Sequence, residues 1–349
     1  MKPVTVPFFI SHQGCPHTCV FCDQRLISGS DGNLPTPENI LAKVEKWRLT
    51  AGERPLEVAF FGGSFTALPK NRQAELLASL QSLLRSGTIR SVRISTRPDC
   101  IDDCRVAWLA EMGVQTIELG VQSMDDSVLA ASGRGHTAAE SEDAICCIKK
   151  HGLTVGVQLM PGLPADTPVS SLASLERVIT AGVDFIRIYP TVVLRGTELA
   201  RRFTDGDYIP LSLERGVLLC KMLLHRAMQA GVDVIRIGLQ AEEGLNAHTV
   251  LAGCWHPSLG QFVRSQLYAD IVCRFVLTGR HVTLYCHPAR LSDLIVVIRS
   301  NLMSQTERGV QFRAVPDENL KKEELKIQTE ETSFTYSIIN DLNYSIHEV

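Results

Sequence analysis

Gly14-Cys15-Pro16-His17-Thr18-Cys19-Val20-Phe21-Cys22 is the stretch on which the chain turns. Three thiols fall in the spacing CxxxCxxC, directly after the apolar run Val4–Ile10. A strand that ends in such a loop can turn all three sulfurs onto one soft metal centre. The next cysteine is Cys100, so no fourth thiol lies close in sequence. Three alternatives stand at this point. A zinc knuckle would need His12 or His17 as its fourth ligand. A disulfide would leave one thiol over and suits a secreted protein, which nothing here suggests. An iron–sulfur cubane on three protein ligands leaves one iron free for a second molecule, and so makes the loop an active site.

Outward from this loop, strand-like and helix-like patterns alternate as far as residue 240. Short apolar runs at Val4–Ile10, Leu56–Phe61, Ser91–Thr96, Gln115–Val121, Leu153–Leu159, Phe185–Tyr189 and Val232–Ile237 suit strands buried on both faces. Between them, Pro37–Leu49, Asn71–Leu84, Asp103–Met112, Ala138–His151, Val169–Ala181 and Ser212–Ala230 carry helical spacing. Thr36 with Pro37 is a helix start, and glycines such as Gly113 and Gly152 are helix stops. Repeated strand–helix units imply a parallel sheet with right-handed crossovers. About six units are too few for a closed eightfold barrel, so the expected fold is α/β, a partial (βα)6 TIM-like barrel with a smaller C-terminal α/β extension. Its chemistry belongs at the C-terminal ends of the strands. The unusual residues fall there: Gly62-Gly63-Ser64 after the second strand, Ser95-Thr96-Arg97-Pro98-Asp99 after the third, Gln122 after the fourth and Gln158 on the fifth. Arg97 offers a fork for a carboxylate or phosphate. Arg134, between Gly133 and Gly135, puts a second charged fork on a turn.

The Cys loop, with Phe21 before its last cysteine, resembles the radical S-adenosylmethionine (SAM) enzymes. Six further words, GGSF, STRPD, GVQS, RGHT, LMPGLP and YPTVVLRGTEL, follow in order. They narrow the resemblance to the Elongator catalytic-subunit-like subgroup and carry it across residues 8–240, about two thirds of the chain. The resemblance implies a [4Fe–4S] cluster on Cys15, Cys19 and Cys22. It implies SAM contacts from Phe21, Gly62, Gly63, Ser64, Ser95, Gln122, Arg134 and Gln158. A flavodoxin- or ferredoxin-like electron donor and a tRNA substrate are implied as partners. Ser95 stands where the subgroup often has Glu, so an acidic contact to SAM is missing there. Full-length relatives continue into an acetyltransferase domain. Residues 241–349 show no glycine-rich basic turn for a coenzyme A pyrophosphate, so acetyl transfer is not expected. Two other readings compete with an RNA-modifying enzyme. One is a radical SAM enzyme on a small molecule, as in oxygen-independent coproporphyrinogen oxidase. The other is a non-catalytic zinc or iron–sulfur protein.

Composition bounds the rest. The 349 residues, 45% hydrophobic and with a net charge of −3, are ordinary for a globular chain and give no global attraction to nucleic acid or anionic lipid. With no apolar run long enough for a membrane span and no signal-peptide pattern, the expectation is a cytoplasmic protein. Eleven cysteines at irregular spacing suggest reduced thiols, most of the other eight in the core, the pair Cys146-Cys147 included. The expected division is residues 1–240 for the barrel and 241–349 for the extension, with Glu242-Glu243-Gly244 at the boundary. Residues 251–316 hold seven Arg, no Lys and three acids, interleaved with Trp255, Phe262 and Tyr268. Arg with aromatics can grip phosphate and stack bases, and residues 241–316 equally suit a lid over the barrel, with Arg264 and Arg274 at its entrance. Residues 317–349 form an acidic tail with a hairpin at Leu325–Gln328 and Ser333–Ile338. Cys254, His256, Cys286 and His287 are candidates for a second metal, though not at zinc-ribbon spacing.

Overall fold

All seven strands foreseen between residues 4 and 237 form, and they run parallel in one sheet. The computed structural model describes residues 3–29, 32–239, 244–246, 248–275, 281–301 and 309–348. The expected boundary at Gln240 to Glu243 therefore lies outside the described residues, as do Arg280 and Arg308. In sheet order the strands are β1 (Val4–Phe9), β2 (Leu56–Phe61), β3 (Ile89–Thr96), β4 (Val114–Gln122), β5 (Thr154–Leu159) and β6 (Phe185–Ile188). After the short strand β7 (Val192–Leu194), which leaves the sheet, comes β8 (Asp233–Ile237). Among the described residues β1 and β8 are the two edges and do not pair with each other. The sheet is thus an open, curled half-barrel of seven strands, the partial barrel expected.

The crossing helices are α1 (Gln24–Ser28), α2 (Pro37–Ala51), α3 (Lys70–Ala78), α4 (Gln81–Arg85), α5 (Asp103–Glu111), α6 (Asp126–Ala131), α7 (Ala138–Lys150), α8 (Pro168–Thr180), α9 (Glu198–Asp205) and α10 (Leu213–Gln229). Local chemistry sets their starts. Thr36 caps α2 with Pro37 in its first turn, Thr137 and Glu140 close a capping box on α7, and Thr167 caps α8. The single helix expected over Asn71–Leu84 is two, broken at Ser79 and Leu80.

Beyond the barrel lie β9 (Val250–Gly253), α11 (Leu259–Phe275), β10 (His281–Cys286), α12 (Leu291–Val296), β11 (Gln311–Pro316), β12 (Glu324–Gln328) and β13 (Ser333–Ser337). β7 and β9 pair antiparallel, while the last four strands form a second sheet in the order β11-β10-β12-β13. β12 and β13 are the expected terminal hairpin. The role expected for Leu267 and Tyr268 changes. They face inward from α11 and are buried in the same apolar cluster as Ile186 of β6 and Leu223 of α10. Each such side chain contributes about 1.5–3 kcal/mol by burial. Leu284 of β10 and Leu325 of β12 extend that cluster, so it runs without interruption past residue 240. Among the described residues, Leu245 and Trp255 pack against Leu26, Ile27, Val192 and Leu194, the last three of which line the barrel lumen. No helix among the described residues is long and apolar enough to cross a membrane.

Candidate active site

The loop after β1 is held by its neighbour after β2. Ile10 N–H donates to Phe61 O at 2.8 Å, and the chain then turns through His12, at φ 60°, and Gly14, at φ 74°. Gly63, at φ 59°, packs so closely on this turn that a Cβ would run into the carbonyl oxygens of Gln13 and Ile10. Both glycines line the chamber that the thiols face. Gly63 serves the fit between the two loops. Gln24, which sequence reasoning passed over, ties them together: its Oε1 accepts from His12 N at 2.5 Å and from Gly63 N at 2.6 Å. His12 Nε2 in turn accepts from Gln24 N at 2.9 Å, so that nitrogen is no free metal ligand.

Cys15, Cys19 and Cys22 face a small chamber together with His17, Gly62, Gly63 and Gln122. Burial and the neighbouring thiols push Cys22 up to about 12, and burial with Cys19 raises Cys15. Thiols crowded in this way stay protonated until a cation displaces the protons. A single tetrahedral ion holds sulfurs at about 2.3 Å and so within about 4 Å of one another. Among the described residues, the group of three ligands drawn within 4.8 Å of one another is Asp103, Cys147 and His151, not the loop thiols. Asp103, Cys147 and His151 sit on the outer helices, where Lys150 Nζ already holds Asp103 at 2.8 Å. Cys254 and Cys286 are buried thiols raised to about 12 and about 11 by burial. His256 and His287 each accept a backbone N–H two residues on. Those four are not brought together. All eleven cysteines are free; Cys147 is half-buried and packs against the main apolar cluster as expected, whereas Cys146 is exposed.

A larger cavity of ≈ 520 Å³ fills the barrel lumen and shares Cys22, Gly62, Ser95, Gln122, Arg134 and Gln158 with the thiol chamber. Phe21 lines the lumen as well. Ser64 lines neither space: it is wholly buried and its hydroxyl meets Thr96 Oγ1 at 2.9 Å. Arg97 is also occupied, forked onto Asp99 at 2.9 and 3.0 Å and donating to Arg134 O at 2.6 Å. Its role is to brace the Arg134 turn, in place of the anion contact expected. Arg134 Nη1 donates to Cys19 Sγ at 3.1 Å and Nη2 to Gly120 O. Gln122, at φ 72°, follows a register break in the β4–β5 pairing that aims its side chain across the chamber. Ser95 Oγ, Gln122 Oε1 and Arg134 Nε are buried without a partner among the described residues. Native proteins rarely leave three such atoms together unless a ligand satisfies them. His136, behind this turn, is pushed down to about 4 by burial and by Arg134 and Arg97, and is neutral near pH 7.

The lumen floor is ionic. Glu118, 1% exposed, accepts from Arg187 Nε at 2.8 Å and Nη2 at 3.0 Å, and from Arg93 Nη1 at 2.9 Å. Arg93 Nε also lies 2.8 Å from Glu57 Oε2, off the hydrogen-bonding axis. Gln158 Nε2 reaches Glu118 at 3.4 Å, and Arg187 Nη1 donates to the Tyr189 hydroxyl at 3.2 Å. Arg264 and Arg274, expected at the entrance, bind Asp293 and the carbonyl of Asp341 instead.

Comparison with known families places the chain as a whole. The radical SAM superfamily model matches residues 9–178, and the Radical_SAM C-terminal domain model matches 183–269. The chain belongs to the radical SAM superfamily. A tRNA uridine(34) acetyltransferase of Methanocaldococcus jannaschii is 31% identical to this radical SAM protein over 61% of the chain and 47% of its own length. An uncharacterized protein of the same organism is 29% identical over 61% of this chain and 69% of its own. The solved structure of the archaeal Methanocaldococcus infernus Elp3 superposes with TM-score 0.61 at 18% identity. It covers 93% of this chain and 74% of that one, a likeness of fold. The chain spans less than half the length of the acetyltransferases it matches.

Proposed function

We propose that this chain holds a [4Fe–4S] cluster on Cys15, Cys19 and Cys22, binds SAM beside it, and modifies RNA, tRNA first among candidates. One observation carries the reading: the unpartnered Ser95 Oγ, Gln122 Oε1 and Arg134 Nε line the wall between the thiols and the lumen. They offer two acceptors and a charged donor, which complement the ammonium and carboxylate of SAM. Gly62 and Gln158 complete the wall. When bound, cluster and SAM together supply one-electron chemistry, reductive cleavage of SAM to a 5′-deoxyadenosyl radical, with the electron coming from a flavodoxin- or ferredoxin-like donor. The chain's own part is positioning and exclusion of water. Phe9, Phe61 and Trp47 give the lumen apolar walls, and Leu245 and Trp255 pack behind Ile27, Val192 and Leu194 of its lining. The RNA substrate is supported by relatives named as tRNA uridine(34) acetyltransferases. Acetyl transfer is no part of the proposal.

Anaerobic reconstitution tests the cofactor reading. The parent should take up iron and sulfide and absorb near about 400 nm, and Ala at any of the three cysteines should abolish the band. One equivalent of zinc, with neither iron nor sulfide, would overturn it. Nucleoside mass spectrometry of tRNA from cells with and without the protein tests the substrate, and identical profiles would remove RNA from the proposal.

A further inference from the structure

The charged residues lining the lumen are Arg134, Arg187, Arg236 and Glu118, three cations to one anion. Arg134 is turned to Cys19 and Gly120, and Arg187 is forked onto Glu118, which Arg93 shares. Arg236 has no such partner. Its Nε donates to the carbonyl of Gly238 on its own strand at 3.2 Å, and among the described residues no carboxylate pairs with it. Arg187 and Arg236 are register partners on β6 and β8, so two guanidinium-bearing side chains stand side by side on the lumen face. Like charges so placed repel, the more so away from bulk water. Tyr189 joins them: burial pushes its phenol above the ordinary range, and its oxygen already accepts from Arg187 Nη1. The phenolic proton is therefore left to donate. Two guanidinium groups and a phenolic O–H on one wall are donors throughout, the complement of an anion rather than of a neutral amide or sugar.

We infer that the lumen recognises a single anionic group on the substrate, a phosphate or a carboxylate, seated against Arg236, Arg187 and the Tyr189 hydroxyl. The inference rests on the proposal that SAM occupies the wall of β3, β4 and β5, which leaves β6 and β8 to the substrate. The anion relieves the repulsion between the paired arginines, and its position holds the remainder of the substrate at the mouth of the thiol chamber.

The full-length protein tests this directly, because Trp47 lines the same cavity and reports binding by fluorescence, with calorimetry as the second readout. Two probe pairs are titrated, uridine 5′-monophosphate against uridine and glutarate against glutaramide. In at least one pair the anion should bind about tenfold or more tightly than its neutral partner. Arg236→Gln should remove that preference, and Arg236→Lys, which keeps the charge, should retain part of it. SAM affinity should move by less than about twofold in both variants. A preference confined to the phosphate identifies a nucleotide substrate, and one confined to the carboxylate a small acid. If neither anion outbinds its neutral partner, or Arg236→Gln binds as the parent does, the anion site is not there. If Arg236→Gln weakens SAM as much as the probe, the arginine belongs to the SAM site. A parent protein that takes up neither cluster nor SAM would instead overturn the proposed function. The selectivity of the parent protein between paired probes is readable even if Arg236→Gln fails to fold.

Discussion

Replacing Glu118 by Ala strips two buried guanidinium groups of their shared partner. Arg93 keeps Glu57 nearby, but Arg187 loses both charge-assisted bonds, at 2.8 and 3.0 Å. Removing one member of a buried ion pair costs about 3–5 kcal/mol, because the remaining charge stays desolvated. With Glu118 1% exposed and Arg187 at 16%, a loss of about 4 kcal/mol is expected. At roughly 2 °C per kcal/mol for a large domain, the melting temperature should fall by about 8 °C. Adding Arg187→Met removes the stranded charge, so the double variant should recover about 2 kcal/mol or more. Urea unfolding of parent, both single variants and the double variant gives the coupling energy. A loss below about 1 kcal/mol for Glu118→Ala, or no recovery in the double variant, would show that the floor's ion pairs do not brace the barrel.

Gly63→Ala should displace the thiol loop, since its Cβ meets two carbonyl oxygens; iron content after reconstitution should drop at least about fivefold while far-ultraviolet circular dichroism stays near that of the parent. Arg134→Gln removes the donor on Cys19 Sγ and the unpartnered Nε; SAM affinity by calorimetry should fall about tenfold, and the cluster's reduction potential should become more negative. His136 sits at about 4 in the folded chain against an unperturbed 6.5, so the unfolded state takes up the proton first as pH falls. Its contribution is complete above about pH 6.5 and is lost towards pH 4 at about 1.4 kcal/mol per unit. A His136→Leu variant should show a correspondingly shallower loss of stability over that window.

Strand positions were legible because buried parallel strands need apolar runs, and the thiol loop because its spacing is short and local. The lumen floor was legible too, though not read. Glu57, Arg93, Glu118 and Arg187 each put a charge inside a strand that is otherwise mostly apolar. A charge in a strand buried on both faces has to meet a partner across a shared interior. Ser64 misled because a residue can belong to a ligand-side motif while its hydroxyl turns inward to Thr96. The C-terminal arginines misled because composition does not say which carboxylate or carbonyl takes each one. Arg264 finds Asp293, which no pattern near Arg264 announces.

The position of Gly244 has a consequence for biosynthesis. Its backbone lies directly on the Leu26 carbonyl, just past the thiol loop, so Cys22 leaves the ribosome long before the segment that covers it exists. Until α11 follows, the side of α10 that packs on it stays open, although α8 and β8 already hold the helix against the sheet. The nascent chain therefore presents the thiol loop without the Gly244 segment and α10 without α11 at the same time.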